Sequence, residues 1–239
     1  EETGRELARL IVQVPVPAGG ELQAFGVAQA QAVHVRDEDQ QTCELHALAD
    51  AELLGGLDGV VINAGIGISD KLEDLDVEKW RRGLDINLTS AFMLTKEAMK
   101  VLRKQKMGGS IVYIASKNAF APGAGFGGYS VSKAGMLQLM RIAALVGGRA
   151  GFRFKGINPV AVFDNSKLWE GGIREQRAAA HGVKPEELED FYASRNLLNA
   201  RVRSLDVARA AAFFLSDESS RTTGSVIAVD GGVAAAFPR

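Results

Sequence analysis

Short apolar runs alternate with longer amphipathic stretches along this chain. The runs occupy 11–16 (IVQVPV), 31–35 (QAVHV), 58–64 (DGVVINA), 110–116 (SIVYIAS), 152–158 (FRFKGIN) and 225–230 (SVIAVD). Several are continuously apolar rather than alternating, the pattern of strands buried on both faces of a parallel sheet. Between them, helical periodicity predicts helices over 41–54, 77–106, 129–146, 185–195 and 205–216. Strands and helices in regular succession predict an α/β fold, a doubly wound, Rossmann-like, mostly parallel sheet with helices on both faces. No repeat or linker interrupts the pattern, so 1–239 reads as one domain. The longest stretch without a predicted strand is 160–200, which holds Trp169, Gly171-Gly172, Pro185 and Phe191. It reads as a substrate-side insertion over the carboxyl edge of the sheet, where open α/β sheets bind ligands.

Composition narrows the function classes. With 239 residues the chain can bury a sizeable core. A formal net charge of -1 offers neither a basic footprint for nucleic acid nor a field for an anionic membrane. Cys43 is the single cysteine, which excludes an internal disulfide and favours a reducing compartment. His34, His46 and His181 lack metal-ligand spacing, so no metal is expected. No apolar run is long enough to span a bilayer, and the first residues, EETGRELARL, carry charge instead of a signal-peptide apolar region. A cytoplasmic protein is the expectation.

Candidate chemistry starts at GYSVSK, 128–133. On a helix, Tyr129 and Lys133 share one face. An ammonium beside a phenol favours the phenolate, and a tyrosine so tuned can exchange a proton with an alcohol or carbonyl oxygen. Taken alone, the pair could equally be a solvated helix face. Three neighbours strengthen the chemical reading. Ser116 ends a predicted strand thirteen positions before Tyr129. Asn63-Ala64-Gly65 forms a tight turn at the tip of another strand, where backbone can approach a ligand. Asn87 sits inside a predicted helix, where asparagine is a poor helix former and implies a hydrogen-bonding purpose.

These elements, NAG at 63–65, Asn87, Ser116, YSVSK at 129–133, INP ending at 159 and TGSVIAVDGG at 223–232, resemble the short-chain dehydrogenases/reductases. The likeness runs from about residue 58 to the last residue. It implies Tyr129 as general acid/base, Ser116 as the group that orients the substrate oxygen, and Asn87 as holder of a water in a proton relay. Lys133 would hold the nicotinamide ribose and depress the tyrosine pKa. The implied cofactor is NAD or NADP, held by Asn63, Ala64, Gly65, Tyr129, Lys133 and Pro159. Subunits would pair as a homodimer or homotetramer through the helices at 77–106 and 129–146. The segments NPVAVFDNSKLWEGG, HGVKPEELEDFYASRNLL and DGGVAAAFPR are similar to the dehydrogenase half of bifunctional rhamnulose-1-phosphate aldolase/alcohol (lactaldehyde) dehydrogenases. That likeness implies a small hydroxyaldehyde such as lactaldehyde as substrate. The aldolase half, with its metal-binding histidines, has no counterpart in this chain.

The first quarter departs from the pattern. The family opens with a strand and a Gly-rich turn feeding a helix N-terminus, whose N–H groups receive the cofactor phosphates. No such spacing occurs here, so 1–57 reads as a degenerate or truncated nucleotide-binding half and 58–239 as the well-matched catalytic half. In one register, RELARLI is the helix after the lost turn, and strand one is missing or replaced. In a rival register, 11–16 becomes strand one, Gly19-Gly20 a makeshift turn and Asp37 the ribose acid. His34 stands where an adenine-binding aspartate is expected. Two functions therefore stay open, an active oxidoreductase and a non-catalytic binding or assembly protein of the same fold. Trp169, Phe191 and Tyr192 could wall a small apolar pocket or pack the insertion onto the sheet.

Overall fold

The computed structural model describes residues 8–13, 27–33, 57–164 and 166–237. Six strands form one sheet: β1 (Ala8–Gln13), β2 (Val27–Val33), β3 (Gly59–Ile62), β4 (Gly109–Ile114), β5 (Phe152–Pro159) and β6 (Ser225–Val229), in the spatial order β2-β1-β3-β4-β5-β6. From β3 to β6 every pairing is parallel. The helices are α1 (Val77–Leu84), α2 (Ser90–Gln105), α3 (Gly127–Gly147), α4 (Ile173–His181), α5 (Leu188–Ser194) and α6 (Ser204–Leu215).

The strand pattern follows from burial on two faces. Val60, Ile62, Ile111, Tyr113, Phe152 and Phe154 turn to one side and meet Ala91, Leu94 and Leu102 of α2 and Met136, Leu137 and Met140 of α3. Val61, Val112, Ile114 and Ile157 turn to the other side and meet Ala211 and Phe214 of α6. Each strand thus needs apolar residues at successive positions, which is why the runs are continuous. The buried residues of α3 include Tyr129, Ser132, Lys133, Met136, Leu137 and Met140, a helical stripe that carries the candidate pair inward with the core.

The sheet corrects the expected start of the chain. The segment 8–11, expected as helix in one register, is strand. It fills the slot beside β3, but antiparallel, with Ile11 opposite Val61 and Gln13 opposite Gly59. β2 then adds antiparallel to β1. The usual first strand is therefore replaced by one of opposite direction. The rival register put a strand in this place, but later in sequence and parallel to its neighbour. The physical requirement is that the open edge of β3 be paired, and an antiparallel strand meets it as well as a parallel one. The predicted helix 41–54, Gly19-Gly20, His34, Asp37 and Cys43 lie outside the described residues.

Helix 77–106 is predicted as one piece. It is interrupted by a widened π-type turn, Asp85–Thr89, between α1 and α2. Asp76 starts α1, its carboxylate accepting from the N–H groups of Glu78 (2.9 Å) and Lys79 (3.1 Å). Within 160–200, the predicted helix 185–195 appears as a single turn followed by α5, and α4 is an addition to the prediction. α4 ends at Gly182, whose φ of 68° is the left-handed cap conformation that glycine adopts without steric cost. The aromatic residues of this stretch pack on one another. Phe163 stacks on Trp169 at 4.2 Å, and Trp169 lies 5.9 Å from Tyr192. Asp164 ties the stretch to the start of α6, accepting from Ser204 Oγ at 2.6 Å and from its N–H at 3.0 Å.

Candidate active site

The predicted residues converge on the carboxyl edge of the parallel strands. Asn63, Ala64 and Gly65 follow β3, Ser116 follows β4, and Pro159 ends β5. Tyr129 and Lys133 come from the first turns of α3, buried to 6% and 3% exposure. Asn87 comes from the π-type turn and is fully buried. A widened turn places one polar side chain where a regular helix would present an apolar ridge.

Asn87 acts as a clamp. Its Oδ1 accepts from the Ile66 N–H at 2.7 Å. Its Nδ2 donates to the Ile66 carbonyl at 3.1 Å and to Ser132 Oγ at 3.0 Å. Ser132 Oγ donates in turn to the Tyr129 carbonyl at 2.7 Å. One asparagine thereby joins the turn after β3 to the helix that bears the tyrosine. Gly65 sits between the two polar groups. A Cβ there would lie 3.2 Å from Lys133 Nζ and 3.3 Å from Asn87 Oδ1. A side chain there would have to push the ammonium or the amide aside by a few tenths of an ångström.

Lys133 Nζ donates to the Ile114 carbonyl at 2.9 Å, the last residue of β4. It lies 5.8 Å from the centre of the Tyr129 ring. Ser116 stands beside the Tyr129 phenol and lowers its pKa, and its Oγ accepts from the Asn118 N–H at 3.2 Å. Phe126 packs against Tyr129 with ring centres 4.6 Å apart.

The electrostatics correct one expectation. Burial pushes the Tyr129 phenol up to about 12, and the Ser116 hydroxyl offsets only part of that. Burial pushes Lys133 down to about 8. The phenol is therefore protonated at neutral pH instead of tuned toward phenolate. Desolvation penalises both charged forms and outweighs the attraction expected from their spacing. In this state the site holds a proton donor, a hydroxyl beside it and a cation behind it.

Sequence reasoning missed Ser132, Arg177 and Lys117. Ser132 stands inside YSVSK and is fully buried, and its i+3 relation to Tyr129 was the available signal. Arg177, on α4, is 6% exposed. It donates from Nη1 to the Ala124 carbonyl at 3.1 Å and its guanidinium lies 5.2 Å over Phe126. No local motif marks it. Among the described residues, no group of three or more His, Cys, Asp or Glu could hold a metal ion, and no helix is long and apolar enough to cross a membrane.

The residues fit the nicotinamide end of a dinucleotide. Lys133, Asn87 and the side-chain-free Gly65 form a close-walled cradle at the strand tips. The phosphate end is different. Beside β3 the carboxyl edge presents the beginning of β1, not a strand turning into a helix N-terminus.

Comparison with known proteins agrees with this geometry. Residues 21–234 match the family described as Enoyl-(Acyl carrier protein) reductase. The oxidoreductase YuxG of Bacillus subtilis is 37% identical over 238 residues, which is 98% of this chain but 34% of YuxG. This chain thus spans about a third of that relative. The 3beta-hydroxysteroid dehydrogenase 1 of Eggerthella lenta is 32% identical over 98% of this chain and 80% of its own length. The crystal structure of sorbitol-6-phosphate 2-dehydrogenase SrlD from Erwinia amylovora superposes with a TM-score of 0.77 at 26% identity, covering 85% of this chain and 78% of that one. A family match across most of the chain, on a parallel sheet whose carboxyl edge carries the serine, tyrosine and lysine together, leads to one assignment: this chain belongs to the short-chain dehydrogenase/reductase family.

Proposed function

We propose that this chain catalyses NAD(P)-dependent hydride transfer to or from a small alcohol or hydroxyaldehyde, with lactaldehyde as the first substrate to test. The observation that carries the reading is the buried set of Tyr129, Ser116 and Lys133 at one sheet edge. When bound, the nicotinamide accepts or supplies the hydride. The protein moves the proton. In reduction, the Tyr129 hydroxyl gives its proton to the substrate oxygen as that oxygen gains charge. Ser116 donates a hydrogen bond to the same oxygen and fixes its position. Lys133 places positive charge behind the phenol, and Asn87 holds the turn and helix in register, with a relay water as its further role. Asn63, Ala64, Gly65 and Pro159 line the cofactor side. The redox part of a longer, two-activity protein is the accompanying reading, supported by the length of YuxG relative to the matched region. A cytoplasmic location goes with it.

Titration with NADH and NADPH, followed by nicotinamide fluorescence, tests the reading. Saturable binding is expected. No binding at about millimolar cofactor, a −4 kcal/mol interaction at best, removes the dehydrogenase reading and favours the second one. That second reading is a non-catalytic binding or assembly protein, and the antiparallel β1 in the phosphate-loop position is what favours it.

A homodimer or homotetramer belongs to the same proposal. Phe92 of α2 and Val131, Ile142, Leu145 and Val146 of α3 are exposed apolar residues, Leu145 to 84%. Such faces are normally covered. Leu145→Glu is expected to shift the species seen in analytical ultracentrifugation toward monomer. An unchanged sedimentation coefficient would place any interface elsewhere.

A further inference from the structure

Beside the catalytic serine the chain gathers positive charge. Lys117 directly follows Ser116 and donates to the Ala121 carbonyl at 3.1 Å. Arg177 lies over Phe126, which itself packs on Tyr129, so this guanidinium stands two ring contacts from the phenol. Its Nη2 is 3.0 Å from His181 Nε2. Arg195, after α5, lies over Phe191 at 5.5 Å, and Phe191 lies 4.7 Å from His181. The cations act on one another. Arg195 and Arg177 both push Lys117 down, after burial, and Arg177, Arg195 and Lys117 all push His181 down. Among the described residues no carboxylate stands in ion-pair reach of Lys117, Arg177 or Arg195. Asp230 is the one acid whose charge is felt at Lys117.

Two cations close by in sequence are paired instead. Arg201 pairs with Asp190, and Arg203 reaches Glu189 at 2.7 Å. Both pairs involve α5, the helix immediately before Arg195. Like charges brought together out of ion-pair reach of any acid repel one another, and an anion relieves that repulsion. The arrangement is also positioned for substrate. One cation neighbours the serine, one backs the ring that packs on the tyrosine, and the third comes from the insertion that covers the edge.

We propose that Lys117, Arg177 and Arg195 form an anion subsite beside Ser116, so that the preferred substrate carries a carboxylate or phosphate at the end away from its reacting carbinol. This rests on the dehydrogenase reading and narrows its substrate class. Neutral lactaldehyde becomes the weaker substrate, and an acid-bearing hydroxy compound the stronger.

Paired substrates test it. Butane-1,3-diol is compared with 3-hydroxybutyrate, and propane-1,2-diol with its 1-phosphate, using NAD and NADP. The expected result is a kcat/KM ratio, anionic over neutral, of about tenfold or more in at least one pair. The pair that shows it distinguishes carboxylate from phosphate. Arg195→Gln and Lys117→Gln are expected to lower that ratio by about tenfold each, with Arg195→Lys retaining it. A ratio near one in both pairs, or a ratio unmoved by both Gln variants, overturns the subsite. If no substrate is turned over, the dehydrogenase reading fails by itself, and calorimetric titration with inorganic phosphate decides the subsite separately. Phosphate heat that disappears in the Arg195→Gln, Lys117→Gln double variant upholds an anion site, and no heat in the wild type overturns it.

Discussion

Tyr129→Phe lowers kcat for both alcohol oxidation and carbonyl reduction by about 10²–10⁴, the share a positioned acid/base contributes, while NADH affinity changes little. The substitution removes one oxygen. The ring keeps its place, packed at 4.6 Å on Phe126 and next to Ile68. Folding is therefore preserved, and the loss reads on chemistry alone. Direction and pH add a second check. The phenol is pushed up to about 12, so across the neutral range the site holds the proton that reduction needs. Oxidation needs that proton gone. The rate of oxidation is expected to rise with pH up to about 8, with reduction flat over the same range. Lys133 loses its charge near pH 8, which weakens the electrostatic support in both directions above that pH. Log kcat/KM against pH for each direction, in wild type and variant, measures this. A fully active Tyr129→Phe would refute the role given to the phenol.

The strands from β3 to β6 and the edge they build were legible because burial on two faces writes itself into local sequence. Val60 to Ile62 and Ile111 to Ile114 are apolar at each position, since odd and even residues serve different cores. The direction of β1 was not legible. An apolar run states that a strand is buried, and says nothing of whether it runs with or against its neighbour. That choice is made by pairing across 46 residues, as between Gln13 and Gly59, where tertiary contact decides. α4 was missed because IREQRAAAH is short and polar, and its boundary signals, Gly172 before and Gly182 after, read equally well as loop. In the site, Tyr129 and Lys133 could be found from one helical turn. Arg177 could not. It reaches Ala124 across 53 positions of sequence, and only the fold brings it under the ring that abuts the tyrosine. The tyrosine's environment was misjudged for a related reason. Spacing reveals the neighbouring ammonium but not the depth of burial, and depth dominates.

Lys133→Met is expected to make the protein more stable near neutral pH and inactive. Lys133 is 3% exposed, and its Nζ has one hydrogen bond, to the Ile114 carbonyl. Burial lowers its pKa from 10.5 to about 8. A lysine whose folded pKa lies below its unfolded value destabilises the fold while charged. The penalty is complete below pH 8 and fades as pH rises toward 10.5. The shift corresponds to an upper bound of about 3 kcal/mol. Losing the hydrogen bond to Ile114 offsets about 1 kcal/mol, and an unbranched apolar side chain of similar length fills the space. The net expectation is a gain of about 1–2 kcal/mol at pH 7, shrinking as pH rises from about 8 toward 10. Tyr129 sets the upper limit of that window. Its folded pKa is raised, so its own contribution is present below pH 10 and is lost as pH climbs toward 12. Urea unfolding of wild type and variant at about pH 7 and pH 9.5, together with NADH titration and turnover, separates the two roles. A stabilised variant that binds NADH poorly and has lost turnover identifies an ammonium held in the core at a cost to stability because the chemistry requires it. A variant destabilised equally at both pH values would show that the charge is well satisfied where it lies. Lys133 would then be a structural cap on β4, and the acid–base reading would rest on Tyr129 and Ser116 alone.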